Sequence, residues 1–168
     1  NAWCQDNALN WFDWSLVETN RDMLRFVRGL IALRKRHACL RRRRFLAGER
    51  RNGSAWADVT WHGSRVDDPP WGDPTAQHLA LTLAPVVPEE QPLYVAINMA
   101  AEARRFELPL LAGRAWHRAV DTAAVPPLDL TRPEDQRPLE PGPLVLRSRS
   151  LVVLEGRAMA AAGADGPA

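Results

Sequence analysis

Two stretches, HLALTLA (residues 78–84) and LYVAINM (93–99), decide the fold. In the first, Leu79, Leu81 and Leu83 share one face of an extended chain. In the second, Leu93, Val95, Ile97 and Met99 do the same. A period of two over six or seven residues is the signature of a strand packed on one or both faces. Outward from them the pattern recurs in short pieces. AWADVTW (55–61) alternates weakly, Phe106 and Leu108 alternate with Arg105 and Glu107, and Trp116, Arg118 and Val120 alternate with His117, Ala119 and Asp121. LVL (144–146) and LVVLE (151–155) complete the series. Six or seven short strands separated by turn residues predict an antiparallel sandwich or barrel.

Two long connections interrupt the strands: 63–76, with Asp67-Asp68-Pro69-Pro70, and the Pro-rich 122–143. Asn52-Gly53-Ser54 matches a glycosylation acceptor but reads better as a tight Asn-Gly turn. The tail 156–168 is built of small residues and glycine, and is expected to be disordered.

Before residue 48 the period changes. Met23, Phe26, Val27, Leu30 and Ile31 fall at i, i+3, i+4, i+7 and i+8, one face of a helix expected from about 21 to 37. Leu24 and Leu33 widen that stripe, and Gly29 inside it suggests a close neighbour. Thr19 with Asp22 resembles a capping box, Asn20 being the alternative N-cap. A lone helix with so broad a stripe, led by the aromatic NAWCQDNALNWFDW (1–14), needs a large packing partner.

Composition bounds the function. The net charge of +2 is too small to imply a polyanion partner, and no apolar run reaches the roughly 18–20 residues of a membrane span. No nucleic acid and no membrane are therefore expected as partners. LRKRHACLRRRRF (33–45) is strongly basic, but it closes a helix, where cations favour the negative end of the dipole. Two distant cysteines, Cys4 and Cys39, suit a reducing cytoplasm, and both are read as small buried thiols. His37, His62, His78 and His117 lack metal-ligand spacing, and no cofactor motif occurs. His62 is read as a hydrogen-bonded structural residue. Trp11, Trp14 and Trp116 are read as core, whereas Trp56, Trp61 and Trp71 could fill a core or form an aromatic stacking platform.

In order along the chain, NAWCQDNALNWFDWS, RDMLRFVRGLIALRKRH, ADVTWHG (57–63), PPW (69–71), LALTL (79–83), LYVAIN (93–98), FELP (106–109), WHRAVDT (116–122) and RSRSLVVL (147–154) resemble bacterial glycogen debranching enzymes. These are isoamylase-type members of the α-amylase superfamily. The resemblance covers residues 1 to about 155. It implies a mainly β fold: a C-terminal antiparallel β-sandwich preceded by the last loop and helix of a truncated (β/α)8 barrel. Residues 1–47 would be the barrel remnant, 48–155 the sandwich and 156–168 the tail. A whole barrel takes about 250 residues, so the chain would be a fragment.

The family's reaction, hydrolysis of α-1,6 branch linkages in glycogen, needs paired carboxylates in a water-shielded cleft. The resemblance puts those on barrel strands outside this sequence. No catalytic residue, metal or cofactor is assigned, and the isolated chain is expected to be inactive. Its partners would be that upstream barrel and, through it, glycogen or a branched α-glucan. Trp3, Asp6 and Asn7 are the candidate substrate-binding residues, since an indole face can stack on a sugar and the polar pair can bond hydroxyls. The alternative is that Trp3 packs and the other two hold the loop. A stand-alone glucan-binding or structural β-sandwich module is the competing function.

Overall fold

A computed structural model of the chain describes residues 3–50 and 56–159. The expected Asn52-Gly53 turn and most of the expected tail lie outside these residues.

A short helix, α1 (Leu16–Thr19), leads directly into α2 (Arg21–Arg36). Good helix formers fill α2, with Asp22 in its first turn and Arg34, Lys35 and Arg36 in its last, each sign complementing the dipole. Asn20 occupies the N-cap position without a side-chain cap bond; Thr19 belongs to α1, so the capping box does not form. His37 turns to extended geometry and ends α2, and a single 3-10 turn, Ala38–Arg41, follows.

Among the described residues seven strands come next: β1 (Val59–His62), β2 (His78–Leu83), β3 (Leu93–Asn98), β4 (Arg104–Phe106), β5 (Arg114–Asp121), β6 (Leu144–Leu146) and β7 (Ser150–Ala158). They make a five-stranded antiparallel sheet in the order β1-β2-β3-β7-β5 and a two-stranded sheet, β4-β6. The molecule is thus mainly antiparallel β, as the alternation predicts.

Register decides which side chains meet. Ala80, Ala96 and Val152 lie abreast, as do Thr82, Tyr94 and Leu154. This face packs on Phe106, Leu144 and Leu146 from the small sheet, with Trp116 of β5. The buried aromatics satisfy their polar atoms, as they must in a core. Trp116 Nε1–H donates to the Pro109 carbonyl at 2.8 Å and the Tyr94 hydroxyl to that of Glu107 at 3.2 Å. His62 is buried and structural: it shares a 2.9 Å hydrogen bond with Thr82 Oγ1, and its Nδ1 accepts the Asp67 N–H at 2.9 Å.

The opposite face carries Leu81, Val95 and Val153 abreast, then Leu83, Leu93 and Glu155. Helix α2 covers this side, bringing Phe26, Leu30 and Leu33 against Leu83, Leu93, Val120 and Val153. The neighbour that Gly29 admits is Leu130, from the Pro-rich connection: a Cβ at residue 29 would lie 2.6 Å from its Cδ1.

Strand β7 continues to Ala158, three residues past the expected end of the β-domain. Gly156 is not a tail glycine. It sits under Pro92 and Leu111, where a Cβ would come within 2.8 Å of both, and its N–H donates to the Pro92 carbonyl.

Candidate functional site

The amino-terminal loop holds the three candidate sugar contacts. Asp6 Oδ1 accepts the Trp11 indole N–H at 2.6 Å. Asn7 closes an Asx turn, its Oδ1 accepting the Leu9 N–H at 3.1 Å and its amide donating to Gln5 Oε1 at 3.0 Å. The Asn7 carbonyl also accepts the N–H groups of Asn10 and Trp11. Both polar candidates therefore brace the loop. Trp3 stands 89% exposed, and with Cys4 it adopts left-handed backbone geometry, φ 59° and 56°. Asp13 braces the turn ahead of α1: its carboxylate takes the Ser15 hydroxyl at 2.6 Å and the Ser15 N–H at 2.9 Å, which lowers its pKa.

Several expected core residues are on the surface here. Trp11 and Trp14 are exposed, as are Phe12 and Leu9, and so is Cys4. Phe12 and Trp14 meet edge to face at 5.0 Å. The helix continues this apolar surface. Met23, Val27 and Ile31, one residue per turn, are exposed beside the stripe that packs on the sheet. The apolar residues of α2 span about half of its circumference, and the sheet covers only the Phe26, Leu30 and Leu33 side.

Beneath the end of α2 lies a buried polar junction. Glu155 Oε1 accepts Arg36 Nε–H at 3.0 Å and lies 3.1 Å from His37 Nε2. Burial alone would raise the Glu155 pKa; the His37 bond and the Arg36 charge outweigh it and hold the carboxyl down to about 2. Glu90 binds the next turn, accepting the N–H of Cys39 at 2.8 Å and of Val86 at 2.6 Å. These bonds outweigh the opposing effect of burial and lower its pKa. Burial raises the Cys39 pKa, and the Glu90 carboxylate raises it further. Ligand atoms of His37, Cys39 and Glu90 lie within 4.8 Å of one another, a grouping that histidine spacing along the chain does not disclose. The available signals were Glu155, a charge directly after the apolar run LVVL, and a His two residues from a Cys.

On edge strand β1, in register with Leu81, Trp61 meets Trp71 edge to face at 5.4 Å. Trp71 borders an open cavity of about 570 Å³ with Pro70, Gln77, Ile97 and Met99.

No helix among the described residues is long and apolar enough to cross a membrane. The family described as Isoamylase 1-3, C-terminal, matches residues 60–146. The chain is 45% identical over 76 residues to a glycogen operon protein GlgX homolog of Mycobacterium tuberculosis, covering 43% of this chain and 10% of that one. It is 32% identical over 135 residues to isoamylase 1, chloroplastic, of Arabidopsis thaliana, covering 80% and 16%. With an isoamylase of a Flavobacterium species the identity is 30% over 129 residues, covering 73% and 17%. The matches thus take in less than a fifth of these curated relatives' length.

Proposed function

The chain belongs to the isoamylase C-terminal family, and from that premise we propose that it is the carboxy-terminal portion of a cytoplasmic glycogen debranching enzyme that hydrolyses α-1,6 branch linkages. The catalytic carboxylates belong to a (β/α)8 barrel encoded upstream, and residues 1–47 complete that barrel as its last loop and helix. Residues 48–155 form the bracing β-domain, and the remainder is a tail. The described residues alone perform no hydrolysis.

The observation that carries this reading is the divided surface of α2. One apolar stripe is sealed by the sheet, and the adjoining one, Met23, Val27 and Ile31, is exposed together with the aromatic loop before it. Water-exposed apolar surface of this extent calls for a partner, and an upstream barrel in the same polypeptide would supply it. The loop then faces the barrel's substrate side. There the exposed Trp3 stacks on a sugar, while Asp6 and Asn7 hold the loop and present their remaining acceptor sites to hydroxyls. The left-handed geometry of Trp3 and Cys4 supports this, since such conformations in non-glycine residues cluster where function maintains them.

Expression of the chain alone and of the polypeptide extended upstream tests the proposal. The extended form should release reducing ends and linear chains from branched glucan, and the short form should release none. Activity in the short form, or none in a folded extended form, would refute it.

The Trp61–Trp71 pair favours one other reading, a stand-alone glucan-binding module. Calorimetric titration of glycogen into the chain decides it: heat that disappears with Trp71→Ala supports a binder, and no heat at millimolar glucose equivalents supports bracing alone.

A further inference from the structure

The junction beneath α2 brings the His37 ring between two buried carboxylates, Glu155 and Glu90. Glu155 is ionised and already accepts from Arg36, so the His37 nitrogen facing it, Nε2, carries a hydrogen and donates. In a neutral imidazole this leaves Nδ1 as a lone pair. That atom is buried and has no hydrogen-bond partner among the described residues. It points toward Glu90 Oε1, 3.7 Å away, and His37 itself has no exposed surface. A positive centre at this point, either a proton on Nδ1 or a bound cation, relieves the approach of that lone pair to the carboxylate oxygen. The third group at this point is the Cys39 thiol, likewise buried.

We infer that His37 Nδ1, Cys39 Sγ and a Glu90 oxygen form a binding site for one thiophilic divalent cation, with zinc the natural occupant. Nitrogen, sulfur and oxygen are the donor set zinc takes. Usual bond lengths at tetrahedral angles place such ligand atoms about 3.3–3.6 Å apart. The three atoms here, all within 4.8 Å, need only modest closure. A metal-binding His characteristically donates its other ring N–H to a carboxylate, which fixes tautomer and ring orientation. Glu155, anchored by Arg36, already has that place. On binding, the Cys39 thiol gives its proton to solvent and forms the metal–sulfur bond. Thiolate and carboxylate then balance the cation's two charges, so the buried unit is neutral. Glu90 keeps its bonds to the Cys39 and Val86 N–H groups, since each carboxylate oxygen has a second lone pair. The site would tie the end of α2 to the loop between β2 and β3.

Cobalt and zinc titrations of the metal-stripped full chain test this. One zinc per chain should survive gel filtration, and cobalt should give a near-ultraviolet thiolate charge-transfer band. Cys39→Ser, shown to be folded by circular dichroism, should abolish the band, and Cys4→Ser should leave it intact. Glu155→Gln should weaken zinc binding about 10–100-fold, the usual effect of removing such a carboxylate. Absence of a thiolate band in the parent chain, or its persistence in Cys39→Ser, would overturn the assignment.

Discussion

Arg36 and Glu155, 119 residues apart in sequence, meet through a 3.0 Å hydrogen bond where the last turn of α2 reaches β7, the strand between β3 and β5 in the large sheet. Glu155 is 2% exposed, so the interaction is shielded from solvent on the carboxylate side. Its consequence is a specific acid sensitivity. The Glu155 pKa is about 2 in the folded chain and 4.5 in its absence. A depressed folded pKa gives stability that is complete above the unfolded value and is lost as pH falls through the folded one. Unfolding free energy should therefore drop by on the order of 3 kcal/mol between pH about 4.5 and about 2 from this group. Urea midpoints across that range should show the drop in the parent chain and a clearly shallower slope in Glu155→Gln. Equal slopes would mean that the junction does not hold Glu155 ionised.

Asp58 anchors the passage from the helical part into β1. One carboxylate accepts the N–H groups of Ala47, Gly48, Glu49 and Val59, with Gly48 at 2.8 Å and Val59 at 2.9 Å. Burial opposes its ionisation, and the backbone donors outweigh burial to lower its pKa. Asp58→Asn replaces one acceptor oxygen by a donor and removes the charge that strengthens every bond. We expect it to cost about 2–3 kcal/mol, measured by denaturant unfolding. Asp58→Ala should cost at least as much. A loss under 0.5 kcal/mol would show that these N–H groups are satisfied equally well by water.

The fold was readable wherever one residue type repeats at a fixed period. LALTL and LYVAIN alternate because every second side chain enters one of two apolar layers, and β2 and β3 pair along their whole length. The Pro-rich connection was not readable, because it packs by isolated bridges: Val120 with Leu130, and His117 with Pro138. No periodicity records a strap of that kind. The helix showed a similar limit. Periodicity revealed one broad apolar stripe, but only the tertiary structure divides it into Phe26, Leu30 and Leu33 on the sheet and Met23, Val27 and Ile31 in solvent. At the candidate loop, residue type suggested sugar contacts, while the bonds from Asp6 and Asn7 into their own loop depend on turn geometry. The junction of His37, Glu90 and Glu155 joins three distant segments, so no local pattern could announce it.

Gly29 provides a test of that strap. Alanine in a helix interior is favoured over glycine by about 1 kcal/mol. Here the added Cβ would fall 2.6 Å from Leu130 Cδ1 and 2.7 Å from its Cδ2, so the side chain must move. Gly29→Ala alone should bring no gain in stability, and Gly29→Val should lose more. With Leu130→Ala as background the obstruction is gone, and Gly29→Ala should then stabilise by about 1 kcal/mol. A double-mutant cycle from thermal unfolding gives the coupling directly. Identical effects in both backgrounds would place Leu130 away from the helix in solution.

The exposed side of α2 separates a bracing role from a self-contained one. In the chain alone Met23, Val27 and Ile31 already face water, so Met23→Gln, Val27→Thr and Ile31→Gln should each change its stability by no more than about 0.5 kcal/mol. In the polypeptide extended upstream, a barrel seated on this stripe would bury the same side chains. Each substitution then forfeits the benefit of burial, about 1.5–3 kcal/mol for a side chain of this size. The comparison needs both forms and one measurement, the denaturant midpoint, with Arg28→Gln on the exposed polar flank as a control. A large loss confined to the extended form would fix α2 as the layer between barrel and sheet. Small effects in both forms would leave the stripe facing solvent even in the longer protein, and the bracing role would have to be given up.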